Sequence, residues 1–194
     1  MAADDIPSWQ WMPWRPRQPA EPVAREWLAQ CLGVTPGELG LAREPGGRPR
    51  LDPRHGADAS WSHSGEGLLL AFARGARVGV DLERMRPRPR ALELAHRYFT
   101  GTEVEWLRAQ PSADARDAAF LRLWCAKESV LKAHGRGLAF GLDKLGFAER
   151  DGALVLVEAD PGLGVAGAWR LREFIPHPGY LAAMAWRPIH KMDA

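Results

Sequence analysis

The stretch Leu123-Trp-Cys-Ala-Lys-Glu-Ser-Val-Leu-Lys132 decides how the rest of the chain is read. Phe120, Leu123, Trp124, Val130 and Leu131 recur at helical spacing, which predicts a helix. Glu128 and Lys132 stand one turn apart and share a face of it. They sit at the edge of the apolar arc, where a helix meets the rim of a cleft. Lys127 lies nearer the middle of that arc, between Leu123 and Leu131. An ammonium there must reach water or a partner, because burying it alone is costly. On this stretch alone, Glu128 and Lys132 read as a surface ion pair contributing under about 1 kcal/mol.

A second stretch changes that reading. Arg77-Val-Gly-Val-Asp-Leu-Glu83 alternates with the period of a strand, placing Asp81 and Glu83 on one face and Val78, Val80 and Leu82 on the other. Two carboxylates projecting together from a strand end suit a hard cation such as Mg²⁺, with substrate phosphates completing its shell. With Glu128 they make three acids flanked by Lys127 and Lys132, while Arg48, Ser62 and His63 offer phosphate-binding groups from earlier loops. Three acids with basic donors and no redox motif point to metal-assisted phosphoryl or nucleotidyl-type chemistry.

The surrounding chain is read in order. Ser8-Trp-Gln-Trp-Met-Pro-Trp-Arg-Pro-Arg17 is too proline-rich for a helix. It reads as an arm whose tryptophans plug a core groove, or whose aromatic and guanidinium groups face a ligand. Pro22 to Gly33 fits a helix with Val23, Trp27, Leu28, Cys31 and Leu32 on one face. Val34 to Gly40 reads as a turn and a short helical piece, Leu41 to Glu44 as a strand, and Pro45 to Arg50 as a loop. That loop is either a plain turn or a phosphate cradle of backbone amides with Arg48. Ser62, His63 and Ser64 precede a buried strand, Leu68 to Ala73. Without a Gly-x-Ser-x-Gly elbow they do not read as a serine hydrolase. The Pro/Arg run from Arg84 to Arg90 is a loop or hinge. Helices follow at Ala91 to Phe99, from the Thr100–Glu103 cap through Leu107, and at Ala115 to His134. Four β-like segments close the chain, giving α+β with antiparallel sheet. The order of elements repeats: two similar halves, 1–78 and 79–194, with a ligand crevice between them.

Composition bounds the function. The chain has 194 residues, 46% hydrophobic and 26% charged, with a net charge of +2. That basicity is too mild to argue for nucleic acid, and the acids are interspersed with the arginines rather than leaving a basic stripe. It suits an anionic small molecule or an acidic partner. Cys31 and Cys125 form no metal or redox motif and read as reduced thiols of a cytoplasmic protein. No apolar run approaches the roughly 20 residues of a membrane span, and the N-terminus has no apolar signal core.

Taken together, the motifs resemble those of the 4′-phosphopantetheinyl transferases. Val78-Gly-Val-Asp-Leu-Glu83 and Trp124-Cys-Ala-Lys-Glu-Ser-Val-Leu-Lys132 look like that family's paired signature. Gly47-Arg-Pro49 resembles its Gly-Lys-Pro loop, Ser60-Trp-Ser-His-Ser64 its Ser-His segment, and Arg97 to Glu103 the segment between the signatures. Length and duplication resemble the monomeric surfactin-synthetase type. The resemblance implies two α+β halves related by a pseudo-twofold axis, with the active site between them. It implies transfer of the phosphopantetheine arm of coenzyme A to a serine of an apo acyl or peptidyl carrier protein, a holo-[acyl-carrier-protein] synthase activity. By the same resemblance Asp81, Glu83 and Glu128 would hold Mg²⁺, Glu128 would take the serine proton, and Lys132 would meet the leaving phosphate. Lys127 stands with them as a candidate catalytic group. Gly47, Arg48, Pro49, Ser62, His63, Asp81 and Lys132 would bind coenzyme A, with Arg17 and Arg25 as candidates for its 3′-phosphate. Arg86, Arg88 and Arg90 are candidates for the carrier-facing surface. Two departures stand out: the N-terminal segment is short, and arginine replaces lysine at position 48. A non-catalytic carrier-binding module and a nucleic-acid binder using Trp9, Trp11 and Trp14 are the competing readings.

Overall fold

Strand alternation sorts the apolar residues of this chain into three layers. The computed structural model describes residues 6–189. Its strands are β1 (Ser8–Pro13), β2 (Leu41–Arg43), β3 (Pro49–Leu51), β4 (Ala57–Ser64), β5 (Gly67–Arg74), β6 (Ala76–Arg84), β7 (Leu145–Arg150), β8 (Ala153–Ala159), β9 (Arg170–Phe174) and β10 (Tyr180–Pro188). Its helices are α1 (Ala20–Leu32), α2 (Ala91–Tyr98), α3 (Gly101–Arg108) and α4 (Ala113–His134). Leu68, Leu70 and Phe72 of β5 pack towards α1, and the alternate residues Leu69, Ala71 and Ala73 pack against Val78, Val80 and Leu82 of β6. Ala183 and Ala185 of β10 face α4, while Ala182, Met184 and Trp186 join the central layer. The order is therefore helix, sheet, sheet, helix.

The two sheets run β1-β5-β4 and β6-β10-β9, each accompanied by a hairpin, β2-β3 and β7-β8. Strand, helix, hairpin, strand, strand occurs twice along the chain, with the first strand at an edge and the last in the middle of its sheet. The fold is α+β in two similar halves, the second enlarged by α2 and α3. Because β6 begins at Ala76, a division at 78/79 falls inside that strand.

Three local expectations are corrected. The Trp/Pro/Arg stretch is not an arm: Ser8–Pro13 is an edge strand, antiparallel to β5 with Trp11 opposite Leu69. Prolines are tolerated there because Pro7 precedes the strand and Pro13 ends it, where the ladder loses nothing. Trp14 is buried in the α1 layer, and Trp9 and Trp11 pack against the central one. Between Val34 and Gly40 the chain forms turns only, with no helical piece. The long helix starts two residues earlier than its apolar pattern suggested, because the Ser112 hydroxyl caps it by accepting from the Ala115 N–H at 3.1 Å.

Two features fix the cleft. Gly79 lets α4 lie on β6: a Cβ there would sit 2.0 Å from the Ser129 carbonyl oxygen and 2.4 Å from the Ala133 nitrogen. The halves also meet along a seam in which side chains of β4 replace a backbone ladder. Asp58 Oδ2 accepts from the Val78 N–H at 2.8 Å, Ser60 Oγ from the Val80 N–H at 3.2 Å, and Ser64 Oγ from the Arg84 N–H at 3.1 Å. The fourth member of the series, Ser62, turns its hydroxyl to Asp81 instead.

Candidate active site

Asp81 stands where that seam passes beneath α4. Its Oδ1 accepts from Lys132 Nζ at 2.7 Å and from Ser62 Oγ at 2.8 Å, and Lys132 Nζ also reaches Ser62 Oγ at 2.9 Å. Asp81 Oδ2 is buried and has no hydrogen-bond partner among the described residues. One helical turn before Lys132, the carboxyl of Glu128 is pushed up from 4.5 to about 7. Burial is the largest cause, the like charges of Asp81 and Glu83 add to it, and Lys132 opposes it. A cavity of about 320 Å³ opens between the halves, bounded by Gly47, Pro49, Trp61, Glu128, Lys132 and Gly135. A larger cavity, of about 730 Å³, lies beside Trp11, Trp14, Arg84 and His177, and none of these carboxylates lines it.

The structure thus brings Ser62, Asp81, Glu128 and Lys132 together and sets Gly47 and Pro49 across the cleft from the helix. Gly47 has φ +82° and open space where a Cβ would be, so its backbone is accessible to a ligand. Glu83 lies on the same strand face as Asp81 but is engaged, accepting from Ser64 Oγ at 3.2 Å and from Arg88 Nη2 at 2.6 Å. The three-carboxylate metal set expected from the sequence is therefore not assembled in this structure. Among the described residues no three acidic, histidine or cysteine side chains converge closely enough to hold a metal by themselves.

Lys127 requires a correction. It is 0% exposed and points away from the cleft into the second half's core. Its Nζ donates to the Leu142 carbonyl at 2.7 Å and to the Leu145 carbonyl, and pairs with Glu103 Oε2 at 2.8 Å, with the Phe99 ring 5.1 Å away. Burial lowers the affinity of the ammonium for its proton and Glu103 opposes that. Lys127 is thus a buried, paired ion of the core and does not line the cleft cavity. Glu103 was legible only as a cap. It does close the capping box with Thr100, but it also accepts from the Phe147 N–H at 2.9 Å. A lysine amid an apolar arc was the signal that water or a partner had to meet its ammonium. Lys127→Met is expected to cost about 3–5 kcal/mol in urea unfolding by stranding the Glu103 charge.

The remaining expected ligands are dispersed. Arg48 borders the cavity, but its guanidinium is taken up by Asp58, by the Lys132 carbonyl at 2.8 Å and by the Pro49 carbonyl at 3.2 Å, so it is not free for a phosphate. His63 is exposed, on the opposite face of β4 from Ser62 by strand alternation, with its ring 6.2 Å from that of Trp14. Arg25 is held on α1 by the Pro36 carbonyl at 3.2 Å and by Glu21 at 3.7 Å. Arg17 is an exposed turn residue with φ 72°. None of these last three lines the cavity beside Glu128. Of the Pro/Arg run, Arg88 is tied to Glu83 and to Asp117 of α4, while Arg86 and Arg90 are exposed.

Comparison with known proteins adds a family. The model described as "4'-phosphopantetheinyl transferase superfamily" matches residues 77–184. The 4'-phosphopantetheinyl transferase HetI of Nostoc sp. is 34% identical over 175 residues, 86% of this chain and 70% of that protein. The 4'-phosphopantetheinyl transferase Sfp of Bacillus subtilis is 33% identical over 121 residues, 62% of this chain and 52% of that protein. The chain thus spans between about half and 70% of the length of these relatives. Among the described residues no helix is long and apolar enough to cross a membrane.

Proposed function

Since this chain belongs to the 4′-phosphopantetheinyl transferase superfamily, we propose that it moves the 4′-phosphopantetheine arm of coenzyme A onto a serine hydroxyl of an apo acyl or peptidyl carrier protein, releasing 3′,5′-ADP. The observation that carries this reading is the group formed by Lys132, Ser62 and Asp81 beside the raised carboxyl of Glu128, at the mouth of a cavity between the halves. The nucleophile belongs to the partner, which fits a site whose own hydroxyl, Ser62, is already bonded to an acid and an amine.

The roles follow from charge and reach. Glu128, one turn from Lys132 on α4, is the base that takes the serine proton. The serine oxygen then bonds to the phosphorus that carries pantetheine, and the bond from that phosphorus to the bridging oxygen of the pyrophosphate breaks. Lys132, 28% exposed at its side chain, meets the negative charge growing on the departing phosphate. Ser62 holds Lys132 and Asp81 in register. Gly47 and Pro49 offer backbone to the coenzyme A diphosphate from the first half, with His63, Arg17 and Arg25 outside the cavity as peripheral candidates for its 3′-phosphate.

The donor set fits Mg²⁺. Asp81 Oδ2 is a buried acceptor without a partner among the described residues, and the crowding of Asp81, Glu83 and Glu128 that raises Glu128 is relieved by a cation. Asp81 and Glu128 would hold it together with phosphate oxygens and water, the few-carboxylate arrangement Mg²⁺ favours, and Glu83 could join on release from Arg88. Bound there, Mg²⁺ supplies positive charge to the pyrophosphate. Both walls of the cleft come from one chain, which supports a monomer, and the free thiols Cys31 and Cys125 suit the cytoplasm.

The test is direct. Purified protein, coenzyme A and Mg²⁺ are expected to add the phosphopantetheine mass to a single serine of an apo carrier protein, read by intact-protein mass spectrometry. Folded protein that modifies none of a panel of fatty-acid, polyketide and peptide carriers would refute the reading.

A further inference from the structure

We propose that Arg48, paired with Asp58, is a positioning residue for the transfer: it holds the last turn of α4 and the start of β6 in place, and it is not a ligand for a coenzyme A phosphate. This inference rests on the transferase reading above. It starts from what the guanidinium touches. Arg48 Nε donates at 2.8 Å to the carbonyl of Lys132, in the last turn of α4, where carbonyls lack intrahelical partners. Nη1 donates to the Pro49 carbonyl at 3.2 Å, Nη2 bonds the Asp58 carboxylate, and the Val78 carbonyl lies 3.5 Å from Nη2. Asp58 in turn accepts from the Val78 N–H at 2.8 Å. The two side chains are 5% and 7% exposed.

One ion pair therefore joins the turn before β3, and β4, of the first half to β6 and α4 of the second. The elements it ties are the ones that carry Ser62, Asp81 and Lys132. The chain also closes tightly at this point: a Cβ on Gly46 would stand 3.1 Å from the Gly135 carbonyl, just past the end of α4. A guanidinium reaches these acceptors at once because its donors are spread over a rigid planar fork, whereas a lysine ammonium is a single point on a flexible stem. The arginine at position 48, a departure from the family's Gly-Lys-Pro pattern, thus has a physical purpose in this chain. Losing it lets the Lys132 turn drift from Asp81, and a displacement of about 1 Å at a reacting centre costs on the order of 100-fold in rate.

The experiment compares Arg48→Lys, Arg48→Met and Asp58→Asn with wild type in carrier modification at varied coenzyme A, with folding checked by circular dichroism. All three are expected to lower kcat at least about tenfold while KM for coenzyme A changes far less, and Arg48→Met combined with Asp58→Asn should be no worse than the poorer single variant. Arg48→Lys should fail to rescue, although it keeps the charge. The proposal is overturned if Arg48→Lys restores the rate, or if Arg48→Met raises KM at unchanged kcat while Asp58→Asn is harmless. Should the variants not fold, the wild-type protein still decides. The Arg48 Nε–H resonance in a ¹⁵N spectrum should be protected from exchange without ligand and should move little on adding coenzyme A; a large shift would mean a phosphate ligand. Absence of transfer by the wild type itself would sink the transferase reading, separately from anything Arg48 does.

Discussion

Glu128→Gln is expected to lower the transfer rate by about 10²–10⁴-fold while making the protein more stable above pH 7. Both effects have one cause. The carboxyl is buried beside Asp81 and Glu83, so the folded protein holds its proton up to about pH 7 against an ordinary value of 4.5. The sign follows. A folded-state pKa raised above the unfolded one contributes stability that is fully present below 4.5 and is lost as pH rises through about 7. Above that range the wild type carries a poorly solvated carboxylate that the amide lacks. Without added divalent cation, the variant should therefore gain about 3 kcal/mol over wild type in urea unfolding at pH 8, and the difference should vanish at pH 4. A normal turnover rate would remove Glu128 as the base. An unchanged stability gap between the two pH values would mean that its carboxyl is not perturbed.

Gly79→Ala should disable the protein from a position that does not line the cleft cavity. The added Cβ would meet the Ser129 carbonyl oxygen at 2.0 Å and the Ala133 nitrogen at 2.4 Å. Both are backbone atoms of α4, so no side chain can swing aside and the helix must lift from β6. Such overpacking costs about 3 kcal/mol or more, which for a domain of this size lowers the melting temperature by roughly 10 °C. Ser129 and Ala133 each follow directly on Glu128 and Lys132, so lifting the helix also moves the base and the cation away from Asp81. Transfer should fall by about 100-fold in whatever fraction stays folded. A variant that melts and turns over like wild type would show that α4 does not rest on β6 as described.

Glu128 and Gly79 also mark the limit of what could be read beforehand. The chemistry of the site is written in local pattern. Alternation puts Asp81 and Glu83 on one face of a strand, and a one-turn spacing puts Glu128 beside Lys132. The duplication was visible in the order of elements, and the cleft between halves followed from it. Local pattern also misled. Proline density argued against a helix and suggested an arm at Ser8–Pro13, yet an edge strand accepts proline at its ends. Lys127 read either as a candidate catalytic group or as a side chain reaching water from the apolar face, because helix periodicity gives an angle around the axis, not the identity of what lies opposite.

The sequence by itself determined the α+β class, the repeated order of elements, and the placing of Asp81 on a strand and of Glu128 and Lys132 one turn apart on a helix, because strand and helix periods are properties of neighbouring residues. Only the tertiary structure decided how charges were partnered. Lys127 found Glu103, Arg48 found Asp58 and the Lys132 carbonyl, Glu83 found Arg88, and Asp81 Oδ2 was left with no partner among the described residues. Arg48 and Lys132 are 84 positions apart in the chain. A buried charge is stable only where folding delivers an opposite charge or a carbonyl, and no periodicity along the chain encodes which distant residue arrives.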